Sequence, residues 1–185
     1  MTAYKGLLVI FTKIKRLRLI KLTGMQHMSN IVGWREWVSL PDIGIPALKA
    51  KIDTGAKTSA LHAVDIELFD NKGIEYVRFN LQPVRKRQKF VLNCEAPLLD
   101  KRFVRDSGGH TEERFVIQSS VQIGAKSFIT EITLTNRDDM LFPMLLGRRA
   151  MQAVNIIVDC NQSYSHGKYK MRQVYSTAFP LNIKK

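Results

Sequence analysis

The stretch KAKIDTGAKTSAL, residues 49–61, decides the fold that the sequence predicts. Ile52 ends an apolar strand and is expected in the core, which places Asp53 at the strand end, partly removed from water. Thr54 adds a hydroxyl that can hold the backbone in place. Gly55 permits a sharp turn and, with the small Ala56, lets another backbone segment come close. A carboxylate held rigidly in such a loop is a candidate catalytic group.

Two such carboxylates would form a hydrolytic site. Like-charge repulsion makes two neighbouring carboxyl groups share one proton, so that one acts as base and the other as acid. Such a pair can activate water for attack on an amide. The chain supplies one good carboxylate, Asp53, so we expect two identical subunits to meet at a twofold axis.

A second element lies far downstream, in PMLLGRRAM at residues 143–151. Two apolar residues and Gly147 follow the pattern of the segment that crosses behind the catalytic loop in aspartic proteases. The pairing of this element with the Asp-Thr-Gly loop resembles the retropepsins, single-lobed aspartic proteases that act as homodimers. The resemblance implies an all-β fold, a small closed barrel of the acid-protease type with one lobe per chain.

A closer resemblance covers about residues 31–165. GWREWVSLPDIGIPALKAKIDTGAKTSALHA, RFVIQSSVQIG and TLTNRDDMLFPMLLGRRAM are similar to the bacterial family called ATP-dependent zinc proteases, which is grouped with the retropepsins. The resemblance implies as a partner an ATP-grasp ligase that adds glutamates to a ribosomal protein. The site residues that it implies are the catalytic Asp53, the supporting Thr54, Gly55 and Ala56, and the second motif Leu146, Gly147 and Arg148.

The residues themselves predict no metal and no cofactor. The four histidines are scattered, the two cysteines are far apart, and the sequence has no His-Glu-x-x-His motif or glycine-rich nucleotide loop. His62 follows the loop, where either a contact with the site or an ordinary polar contact near a strand fits its position. Two cysteines do not make a disulfide framework, so we expect a cytoplasmic protein.

Apolar residues with the period of strands recur from residue 31 onward. The sequence predicts two strands around PDIG, a hairpin around DNKG and another in FVIQSSVQIGAKSFITEITLT. MLFPMLLG and NIIVDC are predicted as buried strands, and RRAMQAV between them as the one short helix. The predicted buried faces of the second hairpin hold Val121, Ile123, Phe128, Ile132 and Leu134. The predicted domains are a basic extension at 1–28, the barrel at 29–170 and a C-terminal tail at 171–185, in which YSTAFPLNIKK is expected to be extended.

A second Asp-Ser-Gly occurs in RDSGGH, residues 105–110. Arg105 precedes it instead of an apolar pair, so a hairpin tip is favoured over a second catalytic loop. In a retropepsin-like fold this hairpin is a candidate flap that closes over substrate, with Ser107, Gly108 and Gly109 at its tip. A plain turn is the alternative.

The net charge of +13 is unevenly distributed. Residues 1–28 carry six basic side chains and no acidic one, which fits an amphipathic helix on a membrane surface or translation that begins at Met25 or Met28. Arg85, Lys86 and Arg87 form a second basic run, either solvated charge on a loop or edge strand or contacts for an acidic ligand. Together with the basic residues beside both motifs, this run predicts a preference for glutamate-rich peptides.

Three functions stay open on the sequence alone. The first is an aspartic peptidase or amide hydrolase that works as a homodimer. The second is a catalytically weak binding module that regulates a glutamate ligase or the ribosome. The third, RNA binding, draws on the charge, but the sequence has no aromatic-studded basic motif, so no specific nucleic acid is predicted.

Overall fold

The structure, a computed structural model, describes residues 30–83, 91–105, 108–136 and 141–178. The basic extension at 1–28, the basic run of Arg85, Lys86 and Arg87, and Ser107 of the candidate flap lie outside the described residues. The predictions made for these segments therefore stay predictions.

Eleven strands and two α-helices follow one another along the described part of the chain, with a 3-10 turn at Pro41–Ile43. The strands are β1 (Ile31–Gly33), β2 (Arg35–Leu40), β3 (Ile45–Ile52), β4 (Ser59–His62), β5 (Val64–Asn71), β6 (Ile74–Leu81), β7 (Leu92–Arg105), β8 (Thr111–Ile123), β9 (Lys126–Thr135), β10 (Met144–Leu146) and β11 (Ile157–Asp159). The helices are α1 (Arg148–Ala153) and α2 (Met171–Ala178).

The main sheet closes on itself, as the predicted barrel requires. Its strands follow the order β2-β3-β10-β4-β9-β8-β7-β6-β5, and β2 also pairs with β8. The closing contact joins Ser39 to Gln122, both through the strand pairing and through a hydrogen bond of 3.0 Å from the Ser39 hydroxyl to the Gln122 side-chain oxygen. Six strands thus form a ring, and β7, β6 and β5 extend the sheet beyond it. The all-β barrel prediction is confirmed.

The core fills the inside of this sheet. Residues predicted to be buried in β8 and β9 are all buried, and the fully buried Leu48, Leu61 and Leu146 join them from three other strands of the ring. Because successive side chains of a strand point to opposite faces, the period-two pattern of the sequence was enough to select the inward face. The core residues that the sequence predicts in these two strands are Val121, Ile123, Phe128, Ile132 and Leu134.

The DNKG hairpin also forms as predicted. Lys72 and Gly73 occupy the two-residue turn between β5 and β6 with φ of 58° and 85°. Positive φ at both central positions is the requirement of a type I′ turn, which suits the twist of paired strands. The Gly73 amide also donates to the Asp70 carboxylate at 3.1 Å.

Two predicted buried strands are shorter or more exposed than expected. The strand in MLFPMLLG begins only at Met144, and Leu141 is 77% exposed. Pro143 has no amide N–H to give to a strand ladder, so the strand starts after it. NIIVDC contains β11, which pairs with β1 in a separate two-stranded sheet and leaves Ile157 exposed. The prediction of a buried final strand was therefore wrong.

The helix count and the extended tail also need correction. Besides the predicted helix α1, the chain forms α2 where the sequence analysis placed an extended segment. Tyr175 of α2 is buried, and its hydroxyl donates to the carbonyl of Ala47 in β3. Met171, Val174 and Tyr175 have the i, i+3, i+4 spacing of one helix face, and Met171 also packs against the core. The sequence analysis missed this pattern. Among the described residues, none of the helices has the length and apolar character needed to cross a membrane.

Candidate active site

The Asp-Thr-Gly loop begins where β3 leaves the core. Ile52 is buried, and Asp53 next to it keeps 22% of its side chain exposed. The Asp53 amide donates to the Leu146 carbonyl at 2.9 Å, and the Asp53 carbonyl accepts from the Ala56 amide at 3.3 Å. One carboxylate oxygen, Oδ1, accepts the Gly55 amide at 2.9 Å. The carboxylate is therefore fixed by its own loop and remains open to solvent.

The second element crosses this loop as the sequence analysis expected. Strand β10 lies between β3 and β4, parallel to β3 with Leu146 beside Ile52 and antiparallel to β4. A β-carbon on Gly147 would stand 2.5 Å from the carbonyl carbon and oxygen of Thr58. Only glycine leaves room for so close a crossing of two backbones. The Gly147 amide donates to the Ser59 hydroxyl at 3.2 Å, which ties the crossing to β4.

Arg148, the residue after Gly147, holds the Asp53 loop by three hydrogen bonds. Its amide donates to the Ala56 carbonyl at 2.9 Å, and its guanidinium donates to the carbonyls of Thr54 and Gly55 at 2.6 and 2.8 Å. The backbone amide of Arg149 donates to the carbonyl of Lys57 at 3.1 Å. The structure thus brings together all the residues of both predicted motifs, although the two motifs lie far apart in sequence.

Lys51 gives Asp53 a positive neighbour. Its ammonium lies 3.2 Å from Oδ2, the carboxylate oxygen that Gly55 does not bind. Partial burial acts to raise the pKa of Asp53, but the hydrogen bond and charge of Lys51 and the amides of Gly55 and Ala56 outweigh it and hold the pKa below the usual value. In a single chain Asp53 is therefore an ionised carboxylate.

A network of charges behind α1 was missing from the sequence analysis. Glu131 on β9 accepts from Arg102 of β7 at 2.6 Å and lies 3.5 Å from Arg149 of α1, while Arg102 also binds Asp100 at 2.5 Å. These pairs connect the long β7–β8 hairpin to the helix that holds the Asp53 loop. No local pattern in the sequence predicts the contacts of Glu131, because its partners come from another strand and from a helix.

The candidate flap is part of that hairpin. Strands β7 and β8 pair out to Arg105 opposite Thr111, so Gly108 and Gly109 lie in the turn between them. Gly109 has a φ of 87°, a conformation that favours glycine. The predicted hairpin tip is confirmed, and its role as a flap stays a prediction.

The remaining titratable candidates lie away from the loop or inside the core. His62 is buried at the far end of β4 from Ser59. Cys94 is buried in the core, and this burial raises the pKa of its thiol to about 12, so it stays protonated. Among the residues that the structure describes, no group of three or more His, Cys, Asp or Glu is arranged to hold a metal ion.

The Asp53 loop and the segment that crosses it at Gly147 both lie within the residues that match a known family. The model of the family described as RimB-like, retropepsin-like aspartic endopeptidase RimB, matches residues 31–169. The chain belongs to this family. The RimB-like match includes Asp53, Gly147 and all six strands of the ring, so the family resemblance proposed from the sequence is confirmed.

The RimB-like domain is also similar to part of some longer proteins. It is 41% identical over 154 residues to a probable alpha-L-glutamate ligase of Shewanella pealeana and 46% identical over 130 residues to another of Desulfotalea psychrophila. These matches cover 82% and 70% of this chain but 33% and 28% of the two ligases. The chain therefore spans about a third of the length of the ligases that it matches.

A solved structure has the same fold. A Legionella pneumophila protein of unknown function, from the DUF785 group, superposes with a TM-score of 0.63 at 32% sequence identity. The superposition covers 74% of this chain and 97% of that chain. The shared fold therefore takes up nearly all of that solved chain.

Proposed function

We propose that the chain is an aspartic-type peptidase or amide hydrolase that works as a homodimer on acidic, glutamate-rich peptides. The observation that carries the proposal is the Asp53 loop. Its carboxylate is fixed by the Gly55 amide, open to solvent, and braced from behind by Gly147 and Arg148. A rigid, accessible carboxylate at this crossing matches what a member of an aspartic endopeptidase family needs.

One carboxylate does not complete the chemistry. An ionised Asp53 can take a proton from water, but the departing amine also needs a proton donor. A second Asp53 from an identical subunit would supply it, since two carboxyls in contact bind one proton between them. Thr54 and Gly55, the exposed residues next to Asp53, give the loop a surface on which a second copy could pack.

The acidic substrate class is supported by the charge around the loop. Lys51, Lys57, Arg148 and Arg149 all lie within or beside the two motifs, and Asp53 is the acidic residue among them. An extended peptide with carboxylate side chains would be drawn to such a surface. The basic run at Arg85, Lys86 and Arg87 is a further proposed contact.

A binding module is the second candidate function. Two observations favour it: the relatives named as glutamate ligases contain a similar domain, and Lys51 is already paired with Asp53. In this version the domain acts with an ATP-grasp ligase and presents acidic chains without cleaving them.

Replacement of the carboxylate separates the two functions. Asp53→Asn should lower peptide hydrolysis by roughly 10²–10⁴-fold, the usual contribution of a positioned acid–base group, while circular dichroism stays unchanged. Asp70→Asn is the matched control, because Asp70 also binds the amide of a turn glycine but lies in the β5–β6 hairpin. Equal turnover by the Asp53→Asn variant and the wild type would leave only the binding module.

The homodimer has its own test. Sedimentation velocity over a dilution series, with activity measured at each concentration, should show specific activity falling as the dimer dissociates. Full activity in a fraction that is entirely monomeric would contradict the shared-proton mechanism.

A further inference from the structure

The outward side of β3 forms a line of charges that ends at Asp53. Lys49 and Lys51 are exposed, whereas Leu48, Ala50 and Ile52 between and beside them are buried. Alternate residues of a strand share a face. Lys51 and Asp53 therefore lie on the same side, in agreement with their contact of 3.2 Å.

A third cation stands directly beside Lys51. Arg35 of β2 is its cross-strand partner, and directly opposite residues have their β-carbons about 5 Å apart on the same face. The Arg35 guanidinium is held over the ring of Trp34 at 4.4 Å and over that of Tyr164 at 5.0 Å. The Trp34 carbonyl in turn accepts the Ile52 amide, which fixes this aromatic support next to the loop.

Arg35 has no acidic partner among the described residues, and its Nε is buried without a hydrogen-bond partner there. The nearest carboxylate in sequence, Glu36, points the other way: it is fully buried and accepts the amides of Gly33 and Ser165 at 2.6 and 2.9 Å. Lys49 likewise lies over the rings of Trp37 and Tyr164. This face therefore carries three cations and one carboxylate, Asp53.

Among the residues that the structure describes, the charges around Asp53 are thus mainly positive. The apolar strand β10 contributes none. The titratable groups on the elements that pack around the loop are Arg35 and the buried Glu36 of β2, Lys49 and Lys51 of β3, Lys57 of the loop, the buried His62 of β4, and Arg148 and Arg149 of α1. Glu131 of β9 lies behind α1 as the partner of Arg149.

We infer that Lys51 selects the substrate by exchanging its partner: without substrate its ammonium pairs with Asp53, and a substrate side-chain carboxylate seated between Lys51 and Arg35 takes it over. The exchange leaves Asp53 without its counter-ion, so it can share a proton with the Asp53 of the second subunit. A neutral side chain offers Lys51 no replacement charge, and Asp53 stays paired. The inference rests on the proposed peptidase function. It adds that Lys51 is the residue that recognises the acidic side chain of the substrate.

The selection should appear in turnover as well as in binding. While Lys51 is paired with it, Asp53 is held ionised by a nearby cation, and two ionised carboxylates repel each other. Removal of the cation raises the pKa of Asp53 toward the range in which a pair can share one proton. An acidic side chain thus both binds and activates, so its effect on kcat exceeds that of binding alone.

The experiment compares matched peptides on matched variants. Quenched fluorescent peptides that differ only by Glu or Gln beside the cleaved bond are tested on the full chain, with Lys51→Met, Lys51→Arg and Lys72→Met. Lys72 is an exposed lysine of the β5–β6 turn, so its variant removes the same charge outside the Asp53 loop. All variants are first checked for the wild-type melting temperature.

The wild type and Lys72→Met should prefer the Glu peptide by about tenfold or more in kcat/KM, the size of one charge-assisted contact. In Lys51→Met the preference should fall close to one, through kcat as well as KM. The acid limb of its pH profile should move to higher pH, because Asp53 has lost its cation. Lys51→Arg should keep most of the preference. Undiminished Glu preference in Lys51→Met overturns the inference and leaves the peptidase proposal standing.

A measurement of peptide binding tests this inference independently of the peptidase proposal. In an Asp53→Asn background, fluorescence anisotropy should show the Glu peptide binding several-fold more tightly than to the wild type, since Lys51 no longer has to leave a carboxylate. The Gln peptide should bind both proteins equally. If the wild type cleaves no peptide, the peptidase proposal fails, and Lys51 is judged by binding alone. An equal affinity for Glu and Gln peptides, or no binding of either, then rejects its role.

Discussion

Two loops of this molecule use the same local chemistry and differ in everything around it. In the β5–β6 turn, the Asp70 carboxylate accepts the amide of Gly73 at 3.1 Å; in the loop after β3, the Asp53 carboxylate accepts the amide of Gly55 at 2.9 Å. The first is a local device that closes a hairpin. The second is crossed by a distant strand and paired with a lysine. An Asp-Gly turn becomes a candidate catalytic site only through such surroundings.

The largest expected effect comes from filling the crossing. Gly147→Ala places a β-carbon against the backbone of Thr58, which cannot move aside as a flexible side chain would. We expect a loss of about 1–3 kcal/mol in the free energy of unfolding, as for other overpacked sites. Urea denaturation followed by tryptophan fluorescence measures it.

The hairpin provides the control for that substitution. Gly73→Ala meets no atom within 4 Å but must keep a φ of 85°. Its cost should be about 1 kcal/mol, from backbone strain alone. A smaller cost for Gly147→Ala than for Gly73→Ala would show that the crossing is not tightly packed.

The next effect concerns the brace of the loop. Arg148→Met removes the guanidinium bonds to the carbonyls of Thr54 and Gly55 while keeping a long side chain. Because Arg148 is exposed, we expect only about 1 kcal/mol of lost stability, but a clear rise in amide hydrogen exchange at Gly55 and Ala56. Arg78→Met, which removes an exposed ion pair with Glu95, should leave these amides unchanged. Equal hydrogen exchange at Gly55 and Ala56 in both variants would show that the loop keeps its conformation without Arg148, as the β5–β6 turn does without such a brace.

The smallest effect is pH-dependent. The hydrogen bond from Arg102 holds the pKa of Glu131 below its usual value, with the charge of Arg149 adding to it. A lowered folded-state pKa contributes stability that is fully present above the unfolded value, about 4.3, and is lost as the pH falls through the folded value. Glu131→Gln should therefore cost a few tenths to about 1 kcal/mol at pH 7 and nothing in strong acid. Melting temperatures of both proteins between pH 7 and pH 3 should converge; a constant gap would exclude the ion pair as its cause.

Much of the fold followed from local patterns. The hairpins, the inward faces of β8 and β9, and the short helix after Gly147 could be predicted because period-two burial and turn glycines act over a few residues. The prediction failed where the decisive partner is distant. The strand β11 lies beside β1 rather than in the core. The helix α2 packs on the core through Met171 and through Tyr175, which binds the distant Ala47.

The candidate site divides in the same way. Asp53, Gly55, Gly147 and Arg148 could be named from the sequence because a strand-end carboxylate and a glycine that admits a second backbone are dictated by residue type. Arg35 was not named, although it lies across from Lys51. The register that pairs them is set by the β2–β3 strands and their irregularity at Val38–Leu40, which no local pattern shows.

The sequence by itself determined a β-rich chain with one fixed carboxylate and one glycine crossing, since backbone sterics and alternating burial act between neighbours. The sequence also places Lys51 two residues from Asp53, on the same face of the strand. Only the tertiary structure decided which distant charges join them. Arg35 and the Glu131 network reach their places through strand pairings and packing between residues far apart along the chain. The energy of a charge depends on its distance to other charges, and those distances exist only once the ring has closed.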